Sequence, residues 1–185
     1  MTPDKIYLVG FMASGKTTVA RALAARMGWQ FEDIDELIER RERLTIADIF
    51  ARHGEAYFRG VEREILKLLQ PLRHVVVATG GGTFADPESR SAINMDGVSI
   101  WLDVPLVEVI ARIPLDGRRP LAANRADLER LYATRLDAYR QAHVHIPAGS
   151  TSVDATVEIV LDAVQRAPTL VEYRDHGDAW PGAAR

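Results

Sequence analysis

Short apolar runs alternate with longer stretches of helical period along most of the chain. "KIYLV", Lys5 to Val9, reads as a strand. "KTTVARALAARM" then predicts a helix over about Lys16 to Met27, with Gly28 suited to its C-terminal cap. "WQFEDID" reads as a second strand, ending in two carboxylates, Asp33 and Asp35. "ELIERRE", "TIADIFARHG" and "EAYFRGVEREILKLLQ" read as helices, and "HVVVATGGG" as a buried strand entering a glycine turn. "SRSAINMDG" predicts a helix, "VSIWLDV" a strand, and "PLVEVIARI" a helix with proline in its first turn. A polar loop, "PLDGRRPLAANRAD", precedes the helix "LERLYATRLDAYRQAH" and a short fifth strand, "VHIPA". "SVDATVEIVLDAVQRA" closes the pattern as a helix capped by Ser152 or Thr151.

This alternation argues for α/β layering around a parallel sheet. With 185 residues and no internal repeat or long linker, the chain has the size of one compact domain, expected over residues 1–167. Residues 168–185, "PTLVEYRDHGDAWPGAAR", lack periodicity and are expected to form a loosely ordered extension; the alternative is a contact made through Tyr173 and Trp180.

Composition narrows the function classes. The absence of cysteine excludes disulfides, thiolate catalysis and cysteine-ligated zinc, and agrees with a reducing cytoplasm. No apolar run approaches the roughly 18 residues of a membrane span, and "MTPDK" lacks the layout of a secretion signal. A net charge of −3 gives no sign of a nucleic-acid surface. The expected partners are small molecules, met by a monomer.

"GFMASGKT" fits the pattern G-x-x-x-x-G-K-[ST] through Gly10, Gly15, Lys16 and Thr17. The glycines permit backbone angles that other residues resist. The N–H groups of Ala13, Ser14, Gly15 and the residues after them, at a helix N-terminus, suit a polyphosphate. Lys16 can reach the β- and γ-phosphates, and Thr17 can hold Mg²⁺. Position between a strand and a helix makes the match strong. Asp33 and Asp35 are the better candidates for a magnesium-ordering acid and an acid facing an acceptor hydroxyl, because alternation along a strand would put both on one side; the alternative is two solvated loop acids or a cap for the next helix. Asp103, at another strand end, could serve the metal or simply end its strand.

Arg59 follows Phe58 on a helix and precedes Glu62 by three positions, so it is either a helix arginine paired with Glu62 or a fork for a substrate carboxylate. Arg135 has the same two readings. Gly80, Gly81 and Gly82 lose entropy on folding and let a ligand touch backbone. "GRRPL" places Arg118 and Arg119 in a polar loop where a lid would carry charge to a transferring phosphate.

"GFMASGKTT", "FEDID", "IADIF…GEAYFRGVE", "TGGG", "RRPL" and R-x-x-x-Y, in this order over about residues 5–165, resemble shikimate kinase. The resemblance implies a three-layer P-loop fold of the nucleoside monophosphate kinase type. Its five-stranded parallel sheet is flanked by helices, with a mobile lid at about 113–125 and a helical substrate-binding region. It implies transfer of the γ-phosphoryl group of ATP, with Mg²⁺, to the 3-hydroxyl of shikimate, on the route to chorismate and aromatic amino acids. The roles it implies are Lys16 for phosphate, with Ala13, Ser14, Gly15, Thr17 and Thr18 around ATP. Asp33 orders magnesium through water, and Asp35 binds acceptor hydroxyls and acts as base. Arg59, Arg135, Gly80, Gly81, Gly82, Phe50 and Phe58 form the shikimate site; Arg119 is the lid arginine and Arg112 lies beside adenine. Three segments depart from the family pattern. Ile34 stands where Ser or Thr is usual, "TFADPESR" follows the glycines, and "PAGSTSVD" lacks an arginine near adenine.

A lid at this loop, pivoting at Gly117 and stiffened by Pro120, would exclude water during transfer. Arg119→Ala is expected to lower turnover by about two to three orders of magnitude, and Arg118→Ala to be milder. Steady-state rates of the two variants, with hydrogen exchange on the loop with and without ADP plus shikimate, check both the role and the closure.

Overall fold

The computed structural model describes residues 3–113 and 125–166. The loop expected to act as a lid, with Arg118 and Arg119, and residues 168–185, with Tyr173 and Trp180, lie outside the described residues. Strands β1 (Lys5–Val9), β2 (Gln30–Asp33), β3 (Val75–Ala78), β4 (Val98–Asp103) and β5 (Val144–Pro147) form one parallel sheet in the order β2-β3-β1-β4-β5. β1 and β3 are buried along their whole length, which is why they read as unbroken apolar runs rather than alternating ones. The helices are α1 (Lys16–Met27), α2 (Ile34–Glu42), α3 (Ile46–Leu69), α4 (Pro87–Asp96), α5 (Leu106–Arg112), α6 (Arg125–Tyr139) and α7 (Val153–Arg166). None of them is long and apolar enough to cross a membrane.

Strand order and the right-handed crossover rule together place the helices. The chain runs one way from β1 to β2, then back through β3, β4 and β5. Hence α1 lies on one face, where it meets α7, while α2 to α6 cover the other, with α2 on α3, α3 on α4 and α5 on α6. The loops after the adjacent strands β1 and β3 therefore diverge to opposite faces. Their carboxyl ends open a crevice, where ligands bind in such sheets.

Three boundaries differ from the sequence reading. β2 ends at Asp33, and Asp35 lies in the first turn of α2. The cause is local: Asp33 Oδ1 accepts hydrogen bonds from the N–H groups of Asp35 (2.9 Å) and Glu36 (3.3 Å), capping the helix and stopping the strand. Strand alternation is thus the wrong reason for Asp33 and Asp35 to face one cleft. α6 starts at Arg125, stabilised by an Arg125–Glu129 pair one turn apart, and ends at Tyr139, where the N–H groups of Gln141 and Ala142 tighten onto carbonyls three residues back. A short 3₁₀ turn at Thr83–Ala85 follows the glycines and has no counterpart in the sequence reading.

Two features fix the frame around the crevice. Lys5 is fully buried on β1, and its Nζ donates to the carbonyls of Leu69 (2.8 Å) and Gln70 (3.0 Å) and to Asp96 Oδ2 (2.7 Å). The same carboxylate accepts from the Tyr7 hydroxyl, whose pKa burial and Asp96 both raise, so the phenol stays a donor. The ends of α3 and α4 are tied to the central strand at the edge of the sheet opposite the crevice. The second feature is Gly54, where α3 is kinked: φ 78° and ψ 175° join the two expected helices into one bent element. That conformation belongs almost exclusively to glycine. The bend lets Phe50, before it, and Phe58, after it, meet at 4.8 Å between ring centroids. Gly54→Ala is therefore expected to cost about 1–3 kcal/mol through backbone strain alone, since no neighbouring atom obstructs a methyl group there. Thermal or urea unfolding checks this.

Candidate functional site

The loop from Gly10 to Gly15 wraps the N-terminus of α1. Gly15 (φ 88°) and Ala13 (φ 58°) adopt left-handed backbone, and a Cβ on Gly10 would stand 2.8 Å from the Leu102 carbonyl oxygen of β4. Lys16 is 7% exposed, and its Nζ donates to the Phe11 carbonyl at 2.7 Å and reaches Ser14 Oγ at 3.4 Å. The ammonium is held over the loop's mouth by the loop itself. Ala13, Gly15, Lys16, Thr17 and Thr18 line a cleft of about 580 Å³, whereas Ser14 turns inward and is buried. Its volume falls within the range typical of small-molecule sites.

Thr17 Oγ1 donates to Asp33 Oδ2 at 2.8 Å, so the first helical hydroxyl and the capping carboxylate form one oxygen pair beside the phosphate loop. Hard oxygen donors suit Mg²⁺, which takes one or two protein ligands and completes its shell from phosphates and water. No cluster of three or more His, Cys, Asp or Glu that could hold a metal exists among the described residues. Asp35 lines the same cleft from the next turn. Asp103 does not line it. Instead its Oδ2 lies 2.9 Å from His145 Nε2.

The other half of the cleft is built around Gly80–Gly82, which line it without positive φ angles. Their lack of side chains is a matter of space. A Cβ on Gly80 would stand 2.8 Å from Asp35 Oδ1, one on Gly81 3.0 Å from the Met12 nitrogen and 3.4 Å from Arg135 Nη1, and one on Gly82 2.8 Å from Arg59 Nη1. Arg59 Nη1 also donates to Glu62 Oε2 at 2.7 Å, and Nη2 to Glu55 Oε1 at 3.1 Å. Arg59 is thus paired with Glu62, as the first of its two readings has it, and it also lines the cleft. Burial opposes its charge, but Glu62 and Glu55 outweigh burial and raise its pKa above the ordinary value. Glu62 is fully buried, with its other oxygen accepting from Thr83 Oγ1. Arg135, 6% exposed on α6, projects its guanidinium toward the Phe11 ring, 5.6 Å from the centroid. Phe50 and Phe58 form the apolar wall, and Arg59 lies over Phe58 at 5.2 Å.

At the far end, Arg112 lines the cleft and donates from Nη2 to the Gly149 carbonyl at 2.5 Å and to Glu108 Oε2 at 3.0 Å. It links α5 to the "PAGSTS" loop that lacks an arginine of its own. The other two departures are structural. Ile34 is buried in the core, away from the cleft. In "TFADPESR", Thr83 bonds Glu62, Asp86 caps α4 by accepting from Ser89 N, and Arg90 donates to the Phe84 and Ala85 carbonyls and to Gln141 Oε1. The structure thus gathers into one cleft the expected site residues within the described range, apart from the buried Ser14, the motif glycine Gly10 and the candidate Asp103. It adds Met12, Glu39, Ile46, Glu62 and Thr79 to the lining. Of these, Glu39 had a detectable signal: it sits one helical turn after Asp35 and so shares its face.

The family model described as shikimate kinase matches residues 12–165. A shikimate kinase from Persephonella marina is 40% identical over 161 residues, covering 86% of this chain and 98% of the relative. The solved shikimate kinase of Acinetobacter baumannii, in complex with shikimate, superposes with a TM-score of 0.83 at 33% identity, covering 89% of this chain and 94% of that one. A gluconokinase from Sinorhizobium meliloti gives a TM-score of 0.59 at 17% identity, over 95% of this chain and 99% of its own, a likeness of fold alone.

Gly82→Ala should push the Arg59 guanidinium off its seat. The expected result is a rise of about tenfold or more in the acceptor's KM with the ATP KM changed by less than about twofold, the size of losing one charged hydrogen bond. Steady-state kinetics varying each substrate in turn reads this.

Proposed function

The chain belongs to the shikimate kinase family, and from that membership we propose how its own residues carry out the family's reaction, ATP-dependent phosphorylation of shikimate. The observation that carries the proposal is the division of the cleft. A phosphate loop lies at one end, and two arginines against a side-chain-free strand of backbone lie at the other, with Asp35 in the same lining.

In this reading Ala13, Gly15, Thr18 and Lys16 hold the polyphosphate of ATP, and Arg112 flanks its adenine. Ser14 supports the loop from inside, its hydroxyl within reach of Lys16. Lys16 leaves the Phe11 carbonyl for the phosphates. Thr17 and Asp33 are the residues that would hold Mg²⁺, the acid through water; the ion would offset charge on the phosphates. Arg59 and Arg135 take the shikimate carboxylate, a match of planar fork to planar anion, and the glycine backbone lets the ring approach. Phe50 and Phe58 pack against its apolar side. Asp35 orients the 3-hydroxyl and receives its proton as the oxygen bonds to the γ-phosphorus and the bond to the bridging oxygen of ADP breaks. Arg119, from the lid segment, would meet the charge of the transferring oxygens. The kinase domain is taken as residues 1–167, with 168–185 as an extension, working as a monomer in the cytoplasm, where ATP is supplied.

The test is ADP release measured across shikimate, gluconate and nucleoside monophosphates, with turnover expected for shikimate alone. Turnover of another acceptor in its place would overturn the reading. Arg59→Lys, which keeps charge but loses the fork, is expected to weaken shikimate about ten- to a hundredfold and leave ATP nearly unchanged. Equal weakening of both ligands in calorimetry would remove the carboxylate role.

A further inference from the structure

Tyr139 has no part in the chemistry set out above. It is 1% exposed, its ring stacks on Trp101 with centroids 5.9 Å apart, and its hydroxyl donates to the Gly81 carbonyl oxygen at 2.5 Å. Burial raises its pKa to about 12 in spite of the neighbouring Arg135, so the hydroxyl keeps its proton and remains a donor. It stands one turn beyond Arg135 on α6, and both residues converge on Gly81.

The carbonyl it anchors belongs to the Gly81–Gly82 peptide. A trans peptide points its C=O and N–H in opposite directions. Fixing the Gly81 oxygen on α6 therefore fixes the Gly82 N–H on the opposite side. Gly82 lines the cleft and lies against Arg59, and no acceptor among the described residues takes its N–H. A peptide between two glycines turns more freely than any other. Left to itself it would sample orientations that withdraw the N–H from a ligand, so the hydrogen bond supplies the restraint that the glycines lack. We propose that Tyr139 is a positioning residue: its hydroxyl latches the Gly81–Gly82 peptide so that the Gly82 N–H is presented to the acceptor's carboxylate between Arg59 and Arg135.

The inference rests on shikimate being the acceptor, and the experiment separates the two. Wild-type ADP release with shikimate tests the acceptor; its failure would take the inference down with the reading. Given wild-type turnover, Tyr139→Phe, which removes one oxygen, should raise the shikimate KM and dissociation constant about five- to tenfold, the effect of one lost neutral hydrogen bond. The ATP KM should stay within about twofold, since the hydrogen bond that is removed joins α6 to the glycine run and not to the phosphate loop. A variant that binds shikimate like the wild type, or weakens ATP equally, overturns the latch. A second reading needs no variant: in the wild-type protein labelled with ¹⁵N-glycine, the Gly82 amide should shift and exchange more slowly when shikimate is added without nucleotide. An unmoved Gly82 signal overturns the proposal whatever the variant does.

Discussion

Arg59 lies against Gly82 at a separation that leaves no room for a methyl group, and its guanidinium is held there by the fully buried Glu62. Two constraints meet in that contact. A buried carboxylate needs a cation beside it, and a cation that must also face a ligand has to be held without being covered. Backbone without side chains resolves the conflict: the arginine is packed from below and left open above. The same solution recurs along the run, with Asp35 over Gly80 and Arg135 beside Gly81. Three functional groups from α2, α3 and α6 converge on one short strand of backbone because nothing projects from it.

The sheet decides where that backbone lies. β1 and β3 are parallel neighbours, and the chain leaves one for α1 and the other for α4, on opposite faces. The phosphate loop and the glycine run are the two loops that follow them. Their proximity is a property of topology, present before any site residue is chosen, and it brings Met12 of one loop within 3.0 Å of a Cβ position on the other. The two loops can adjoin because the strands that deliver them already do. Arg90 strengthens the arrangement from behind, joining the turn after the glycines to the end of α6.

Most of the fold was legible because its signals are local. Apolar runs mark β1 and β3, helical spacing marks α1 and α7, and Gly28 marks the end of α1. The phosphate loop was legible because its chemistry demands glycines, Lys16 and Thr17 at fixed spacing. Asp33 and Asp35 were found for a reason the structure replaces, since periodicity cannot show that a side chain will cap the helix that ends its own strand. The glycines were assigned to ligand approach, and the crowding of Arg59 against Gly82 is a contact between residues distant in sequence. Nothing local in the sequence marks Lys5, the first residue of β1, as buried. Only tertiary structure supplies the Leu69, Gln70 and Asp96 acceptors that let an ammonium be fully buried. Tyr139 stood in a recognised R-x-x-x-Y spacing, but spacing does not name Gly81 as its partner.

The kink at Gly54 has a mechanical meaning. A continuous helix is a stiff rod that transmits displacement and torque from end to end. Breaking it at one residue with non-helical angles makes two rods on a pivot. The second segment, with Glu62 under Arg59 and Lys5 bonded to its last carbonyls, is anchored to the sheet. The first, with Phe50 and Ile46 on the cleft wall, makes no hydrogen bond to the central strand among the described residues. Strain applied to the wall would be absorbed at the pivot, and Arg59 would keep its place while the aromatic side adjusts.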